Sequence, residues 1–188
     1  MAKVEYVCRK CGKVVTVEQF KLSRFCPDVN CGTLLFEKPQ HRHWLFQFNP
    51  STYKWLDRIK ETQEPEQWLV SQHAKLIQRG DLVAVWGSNH NGGIYALGKI
   101  ITNPTKNPLN PNQTRYFSDI DYIAKFVEKP SVYVEHFKVL GEKPLLEQGV
   151  CSEDVMLGEL LIFMNPQGTN FRLSPEQWDR IIEITEKV

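Results

Sequence analysis

Four of the five cysteines fall within the first 31 residues, as Cys8-Arg9-Lys10-Cys11-Gly12 and Cys26-Pro27-Asp28-Val29-Asn30-Cys31-Gly32. Two pairs of thiolates presented by two tight turns are what a tetrahedral zinc ion requires, with Zn–S bonds near ~2.3 Å. Two residues between Cys8 and Cys11 let one turn offer both sulfurs. The second pair, with four residues between, makes a looser knuckle within the usual ligand spacing. Gly12 and Gly32 let the backbone close beneath the metal. Four ligands close the coordination sphere to water, so the expected cofactor is one structural zinc per chain. Two disulfides of a small secreted domain, and a redox Cys-x-x-Cys, are the competing readings. The large domain that follows argues against the first, and the β-like flanks argue against the second. Cys151 stands alone and reads as a small core residue.

No second constellation of this kind is present in the sequence. His41, His43, His73, His90 and His136 show no metal spacing with one another, and there is no Ser/His/Asp set or phosphate-binding loop. Trp44, Trp55 and Trp178 read as packing residues. Asn49 before Pro50 is equally a turn or cap residue, and Ser88–Gly93 needs only a hairpin turn to explain it.

With 41% hydrophobic and 24% charged residues, the chain belongs with folded globular proteins and not with disordered ones. No apolar run approaches the ~18 residues of a membrane span. The opening Met1-Ala2-Lys3-Val4-Glu5-Tyr6 lacks the apolar stretch of a secretory signal, so the expected compartment is the cytoplasm and no membrane partner is expected. A net charge of +1 decides nothing about nucleic acid. Residues 1–43, however, carry eight Lys/Arg against four acids. Zinc with four thiolates subtracts about two charges, which leaves a mild basic bias.

The elements that must position these residues follow from patterning. Val14-Val15-Thr16-Val17 reads as a strand with Thr33-Leu34-Leu35-Phe36 as its partner. Residues 38–42 form a linker. His43–Asn49 reads as a buried strand. Ser51 is placed to cap a helix through about Thr62, and Glu66–His73, followed by Ala74–Ile77, reads as a short helix that ends at Gly80. Asp81–Gly87 and Ile94–Ile101 make the clearest β-hairpin. Thr102–Thr114, with three prolines and four asparagines, reads as a long loop. Tyr122–Val127, Val132–Phe137 and Leu160–Met164 read as strands. Ser174-Pro175-Glu176-Gln177 is a capping-box pattern opening a helix that turns Trp178, Ile181 and Ile182 to one face. The order suits an α+β fold with a small curved or closed sheet and helices outside it.

The first segment resembles a rubredoxin-like zinc ribbon over about 36 residues. In the remainder, Phe46-Gln47-Phe48-Asn49-Pro50, Trp68-Leu69-Val70-Ser71-Gln72-His73, Gly80–Ser88, Gly93–Ile100 and Gly168-Thr169-Asn170-Phe171-Arg172-Leu173-Ser174 together resemble an EVE domain. That family belongs to the PUA-like superfamily and is similar to the YTH domain. The domains are therefore a zinc ribbon at 1–38 and an EVE domain at 43–188. The resemblance implies a small PUA-like β-barrel flanked by helices that binds DNA or RNA and recognises a modified base flipped into an aromatic pocket.

By position, the resemblance makes Trp68 a cage residue and Asn49 a partner for the base edge. It places Ser71, Trp86, Ser88 and Asn89 at the same mouth, and Gly168, Thr169, Asn170 and Phe171 before the last helix. The second cage aromatic is left open among Trp86, Tyr116, Phe117 and Phe171, and Phe171 is equally a packing residue. Such readers resemble parts of restriction or defence systems, with a partner nuclease or helicase supplying the chemistry. Arg9, Lys10, Lys13 and Arg24 are candidate phosphate contacts on the ribbon, which otherwise serves to stiffen its neighbour. The alternatives are a hydrolase or nucleic-acid-modifying enzyme on the same scaffold, with His73 as the only base near Trp68, and an adaptor with a vestigial pocket.

Overall fold

The computed structural model describes residues 3–8, 11, 14–18, 31, 35–37, 41–88, 92–141, 144, 146–164 and 166–187. The chain divides into two units, Met1–Gln40 and His41–Val188. In the first, β1 (Lys3–Cys8), β2 (Val14–Glu18) and β3 (Leu35–Glu37) form an antiparallel sheet in the order β2-β1-β3. Against the expected pairing, the segment ending at Glu37 pairs with β1 and not with β2; Cys8 stands opposite Leu35.

The second unit opens with β4 (His43–Phe48), whose alternation drives the architecture. Trp44, Phe46 and Phe48 enter one apolar cluster and Leu45 enters another, so both faces of the strand are buried. After β4 come α1 (Trp55–Glu61), β5 (Glu66–Leu69), β6 (Leu82–Gly87), β7 (Gly93–Ile100), α2 (Pro111–Thr114), α3 (Ile120–Glu128) and β8 (Ser131–Val139). The chain ends through β9 (Leu146–Glu147), α4 (Gln148–Glu153), a 3₁₀ turn (Leu157–Glu159), α5 (Leu161–Met164), β10 (Asn170–Leu173) and α6 (Pro175–Glu186). The strand order β10-β4-β6-β7-β8-β5 is a curled half-barrel, antiparallel except for β4 beside β6. β9 adds to β7. On one face α1 brings Trp55 into the first cluster. On the other, Cys151, Leu157, Leu160, Ile162, Trp178 and Ile181 from the C-terminal helices cover the second.

Several expectations change. Residues 66–69 are strand β5 and residues 74–76 only a turn, where a helix was expected. Glu66 and Gln67 are polar, yet both are buried and bonded to residues far along the chain. Helix α1 begins at Trp55, and Lys54 at its N-cap makes no side-chain capping bond, while Ser51 donates to Asn49 Oδ1 instead. Tyr122–Val127 lies in helix α3, not a strand. Asp119 caps that helix by accepting from Asp121 N and Tyr122 N, and Tyr122 and Phe126 share a face at i,i+4. Leu160–Met164 contains helix α5, not β structure, and the long loop ends in α2. Among the described residues, no helix is long and apolar enough to cross a membrane.

Helix α6 starts as its sequence requires. Ser174 Oγ accepts from Gln177 N at 3.1 Å and Gln177 Oε1 accepts from Ser174 N at 3.0 Å. Because α6 covers the second cluster through Trp178 and Ile181, Ser174→Ala should lower stability by about 1 kcal/mol. Urea unfolding should show this as a lower midpoint with an unchanged slope.

Candidate nucleic-acid site

Where the C-terminal end of β4 meets β5 and α3, the second unit encloses a cavity of about 520 Å³, within the usual range for small-ligand sites, roughly 300–1,000 Å³. β4 supplies Gln47 and Phe48, with Asn49 following. The turn before α1 supplies Thr52 and Tyr53, and β5 supplies Gln67, Trp68 and Leu69. Ser88 follows β6. The α3 region gives Phe117, Asp119, Tyr122, Lys125 and Phe126, and the segment 166–169 closes the rim.

The aromatic wall is held by backbone pairing. Lys54 N donates to Tyr116 O at 2.8 Å, Ser118 N donates to Thr52 O at 2.9 Å, and Tyr53 and Phe117 form an antiparallel bridge. Their rings therefore stack, 4.3 Å apart and 16° from parallel, and Phe117 stacks on Tyr122 at 5.7 Å and 19°. Trp68 stands edge-on to Tyr53 at 6.5 Å and is 6% exposed. Lys125 Nζ sits 5.0 Å over the Tyr122 ring. Among the described residues it is the only cation on the cavity wall, and the one acid there, Asp119, is engaged in capping α3.

Behind this wall lies a polar cluster that sequence reading missed. Glu66 is fully buried. Tyr53 Oη donates to its Oε1. Trp55 Nε1 donates to Oε2 at 3.0 Å, His136 Nε2 lies 2.7 Å from Oε2, and Arg58 Nη1 lies 3.9 Å from it. Burial by itself pushes the Glu66 carboxyl up, but the bonded His136 ring, the Arg58 cation and the Tyr53 hydroxyl together hold it below the ordinary value. Burial and the Glu66 charge push the Tyr53 phenol well up, and burial raises that of Tyr122, so both remain neutral hydroxyls. Beside this cluster Gln113 Nε2 donates to Tyr53 Oη and to Gln67 O, and Gln67 N donates to Gln113 Oε1 at 2.9 Å.

Of the residues singled out from sequence, Asn49, Trp68, Ser88, Gly168 and Thr169 line the cavity together. Asn49 Oδ1 is engaged by Ser51, and Ser88 Oγ donates to Phe48 O at 3.0 Å. Ser71 and Asn170 do not line it; they tie β5 to β10, Asn170 Oδ1 accepting from Ser71 N at 3.0 Å and its Nδ2 donating to Leu69 O at 3.2 Å. Trp86 and Phe171 lie in the second apolar cluster, on the other face of the sheet. Gly168 is there for packing: a Cβ on it would lie 2.5 Å from the Phe171 ring. Of the four candidates for the second cage aromatic, Phe117 lines the cavity, while Tyr116 donates to Glu61 at 2.7 Å in a separate surface groove. His73 is exposed, at a positive φ of 58° against Trp44, and does not line the cavity. Asn89 lies outside the described residues.

So do Arg9, Lys10, Lys13, Arg24 and Cys26. Of the expected metal ligands, Cys8 ends β1 and Cys11 and Cys31 each occupy a turn, one after β1 and one before β3. Among the described residues no group of three or more His, Cys, Asp or Glu side chains is arranged to hold a metal.

Compared with known families, the chain matches the EVE domain over residues 42–184. No curated protein matches it. Among solved structures it is similar to Rpa0253 from Rhodopseudomonas palustris, at 15% identity and a TM-score of 0.57, covering 78% of this chain and 94% of that one. It is similar to a protein from Pseudomonas putida at 21% identity and a TM-score of 0.54, over 76% and 99% of the two chains. A third is human THYN1 in complex with DNA containing 5-methylcytosine, at 15% identity and a TM-score of 0.55, over 78% and 99%. These likenesses establish a shared fold.

The polar cluster behind the wall has a measurable acid signature. A carboxyl held below its ordinary value of 4.5 adds stability that is complete above that value. The contribution is lost as pH falls through the lower value of the folded state. The difference in melting temperature between wild type and Glu66→Gln should therefore be constant near neutrality and shrink below about pH 4.5. Glu66→Leu, which strands Arg58, should cost about 3–5 kcal/mol.

Proposed function

Because the chain belongs to the EVE family, we propose that it is a non-catalytic module that binds nucleic acid and reads a methylated base of the 5-methylcytosine class, turned out of the stack into the cavity beside Trp68. The observation that carries this reading is the cavity itself, with stacked rings on one side, an indole at right angles and a cation at the wall. The shared fold with a protein solved on 5-methylcytosine DNA supports the choice of base. Unstacking a base costs a few kcal/mol. Contact with an aromatic ring returns ~1–3 kcal/mol per base, and burying a methyl group adds about 0.8 kcal/mol. Methyl recognition is thus a small increment on top of ring contact, and it depends on a wall that does not yield.

The zinc ribbon at residues 1–38 belongs to the same proposal. Cys8, Cys11, Cys26 and Cys31 bind one structural zinc, and the ribbon contributes Arg9, Lys10, Lys13 and Arg24 toward phosphates or stiffens the chain. Catalysis on the recognised nucleic acid comes from a partner nuclease or helicase of a restriction or defence system.

Titration with oligonucleotides that carry or lack one 5-methylcytosine tests the base site. Wild type should favour the methylated strand, and Trp68→Ala should lose roughly five- to 150-fold in affinity for it. Equal, weak binding to both strands, indifferent to the substitution, removes the reading. Lys125→Gln should weaken methylated and unmethylated strands alike and reduce the slope of log affinity against log salt by about one. For the metal, a colorimetric assay should return one zinc per chain, released when the thiols are blocked; a metal-free protein with intact thiols would refute the assignment.

A further inference from the structure

The core of the second unit shows how this chain treats a buried indole N–H. Trp44 Nε1 donates to Asp81 Oδ2 at 2.8 Å, and Trp55 Nε1 donates to Glu66 Oε2 at 3.0 Å. Trp68 belongs to the same cluster and its Nε1 is buried too, yet that Nε1 has no hydrogen-bond partner. The glutamines show the same contrast. Gln67 is bonded at both ends of its amide, Oε1 accepting from Asn110 N and Nε2 donating to Ser131 Oγ, each at 2.8 Å. Gln113 is bonded at both ends as well. Gln47 Nε2 donates to Pro166 O at 3.3 Å, while its buried Oε1 has no partner. The Pro166 carbonyl fixes which way this amide faces, because only the NH₂ end can donate to it. A buried polar group without a partner is costly, and native cores leave few. Among the described residues four such atoms occur: Arg58 Nη1 and His136 Nδ1 belong to the Glu66 cluster, and the other two, one donor and one acceptor, are on residues that line the cavity.

We infer that Trp68 and Gln47 are the specificity-determining pair of this cavity, the indole N–H donating to a ring nitrogen of the bound base and the Gln47 carbonyl oxygen accepting from its amino group. The inference rests on the cavity being a base site, and it sets the ligand class: an amino-bearing pyrimidine as opposed to a keto one of the same outline. 5-Methylcytosine and thymine carry the same methyl on the same ring, but their donor and acceptor positions are exchanged along the edge. A ring stack cannot tell them apart. Two atoms of fixed polarity on the lining residues can, because in the wrong base each meets a group of its own kind. Neither residue can switch roles, since an indole N–H only donates and the other end of the Gln47 amide is held by Pro166.

The test uses the full chain and single-stranded oligonucleotides identical except for one position, which is 5-methylcytosine, thymine or cytosine. Wild type should prefer 5-methylcytosine over thymine by on the order of tenfold or more. Trp68→Phe keeps an aromatic ring but has no N–H, and Gln47→Met keeps the side-chain length but has no carbonyl. Each should bring the ratio close to one by raising thymine binding relative to 5-methylcytosine. Thermal melts identify a variant that fails to fold, in which case the other decides. A wild-type preference for 5-methylcytosine over thymine that survives in the folded variants overturns the inference and leaves the base site standing. A wild type that prefers 5-methylcytosine over cytosine but does not separate it from thymine also overturns it. No preference for 5-methylcytosine over cytosine or thymine takes down the base-site reading and the inference together.

Discussion

The buried carboxylate of Glu66 is the constraint around which the second unit is arranged. An ionised group with no exposed surface survives only if its surroundings replace water completely. Here the replacements come from separate parts of the chain: Tyr53 before α1, Trp55 and Arg58 on α1, and His136 on β8. Satisfying one carboxylate therefore fixes how α1 lies across the sheet and how β5 pairs with β8. It also fixes Tyr53, whose ring is part of the cavity wall. Because side chains alternate along a strand, Glu66 and Trp68 point to the same side of β5, and the residue that anchors the strand and the residue that faces the cavity move as one.

Beside that cluster, Gln67 and Gln113 do for the backbone what Glu66 does for the side chains. β5 pairs with β8 along one edge; on its other edge Gln113 serves Gln67 N and O in place of a neighbouring strand. This closes the sheet edge with a side chain from α2 and holds the cavity floor where no strand is available. Tyr53 joins the two arrangements, since its hydroxyl donates to Glu66 and accepts from Gln113.

Much of the fold was legible because local rules and tertiary structure agree. The β6–β7 hairpin, the apolar run of β4 and the capping box of α6 each form as their sequences dictate. The failures have physical reasons. Residues 66–69 carry polar side chains whose partners lie up to 70 positions away, and no local window reveals such pairing. Residues 122–127 are rich in aromatic and β-branched side chains, which favoured a strand; the decisive signal was Asp119, a capping residue just ahead of an i,i+4 aromatic pair. The site divides along the same line. Trp68, Asn49, Ser88, Gly168 and Thr169, singled out from family-like motifs, line the cavity, as does Phe117, one of the four aromatics left open, whereas Tyr53, Tyr122 and Lys125 converge on it from segments whose pairing is non-local. Gln47 stood within a motif already noted, but only its unpartnered oxygen distinguishes it from a structural glutamine.

On the function proposed above, the energy scale of methyl recognition accounts for so much structure behind so few contacts. A methyl group contributes about 0.8 kcal/mol when buried, an amount that a soft wall would return by closing around the smaller base. Discrimination therefore needs walls that keep their shape when part of the cavity is unfilled. On one side the Glu66 cluster and the Tyr53–Phe117 bridge provide that stiffness. On the other, Gly168 lets the Phe171 ring pack directly against the backbone of the rim, and Asn170 bonds that rim to the end of β5. Thus, if the cavity is the base site proposed, Phe171 and Asn170, which do not line it, bear on what it distinguishes, because they limit how far the rim can follow a smaller ligand inward.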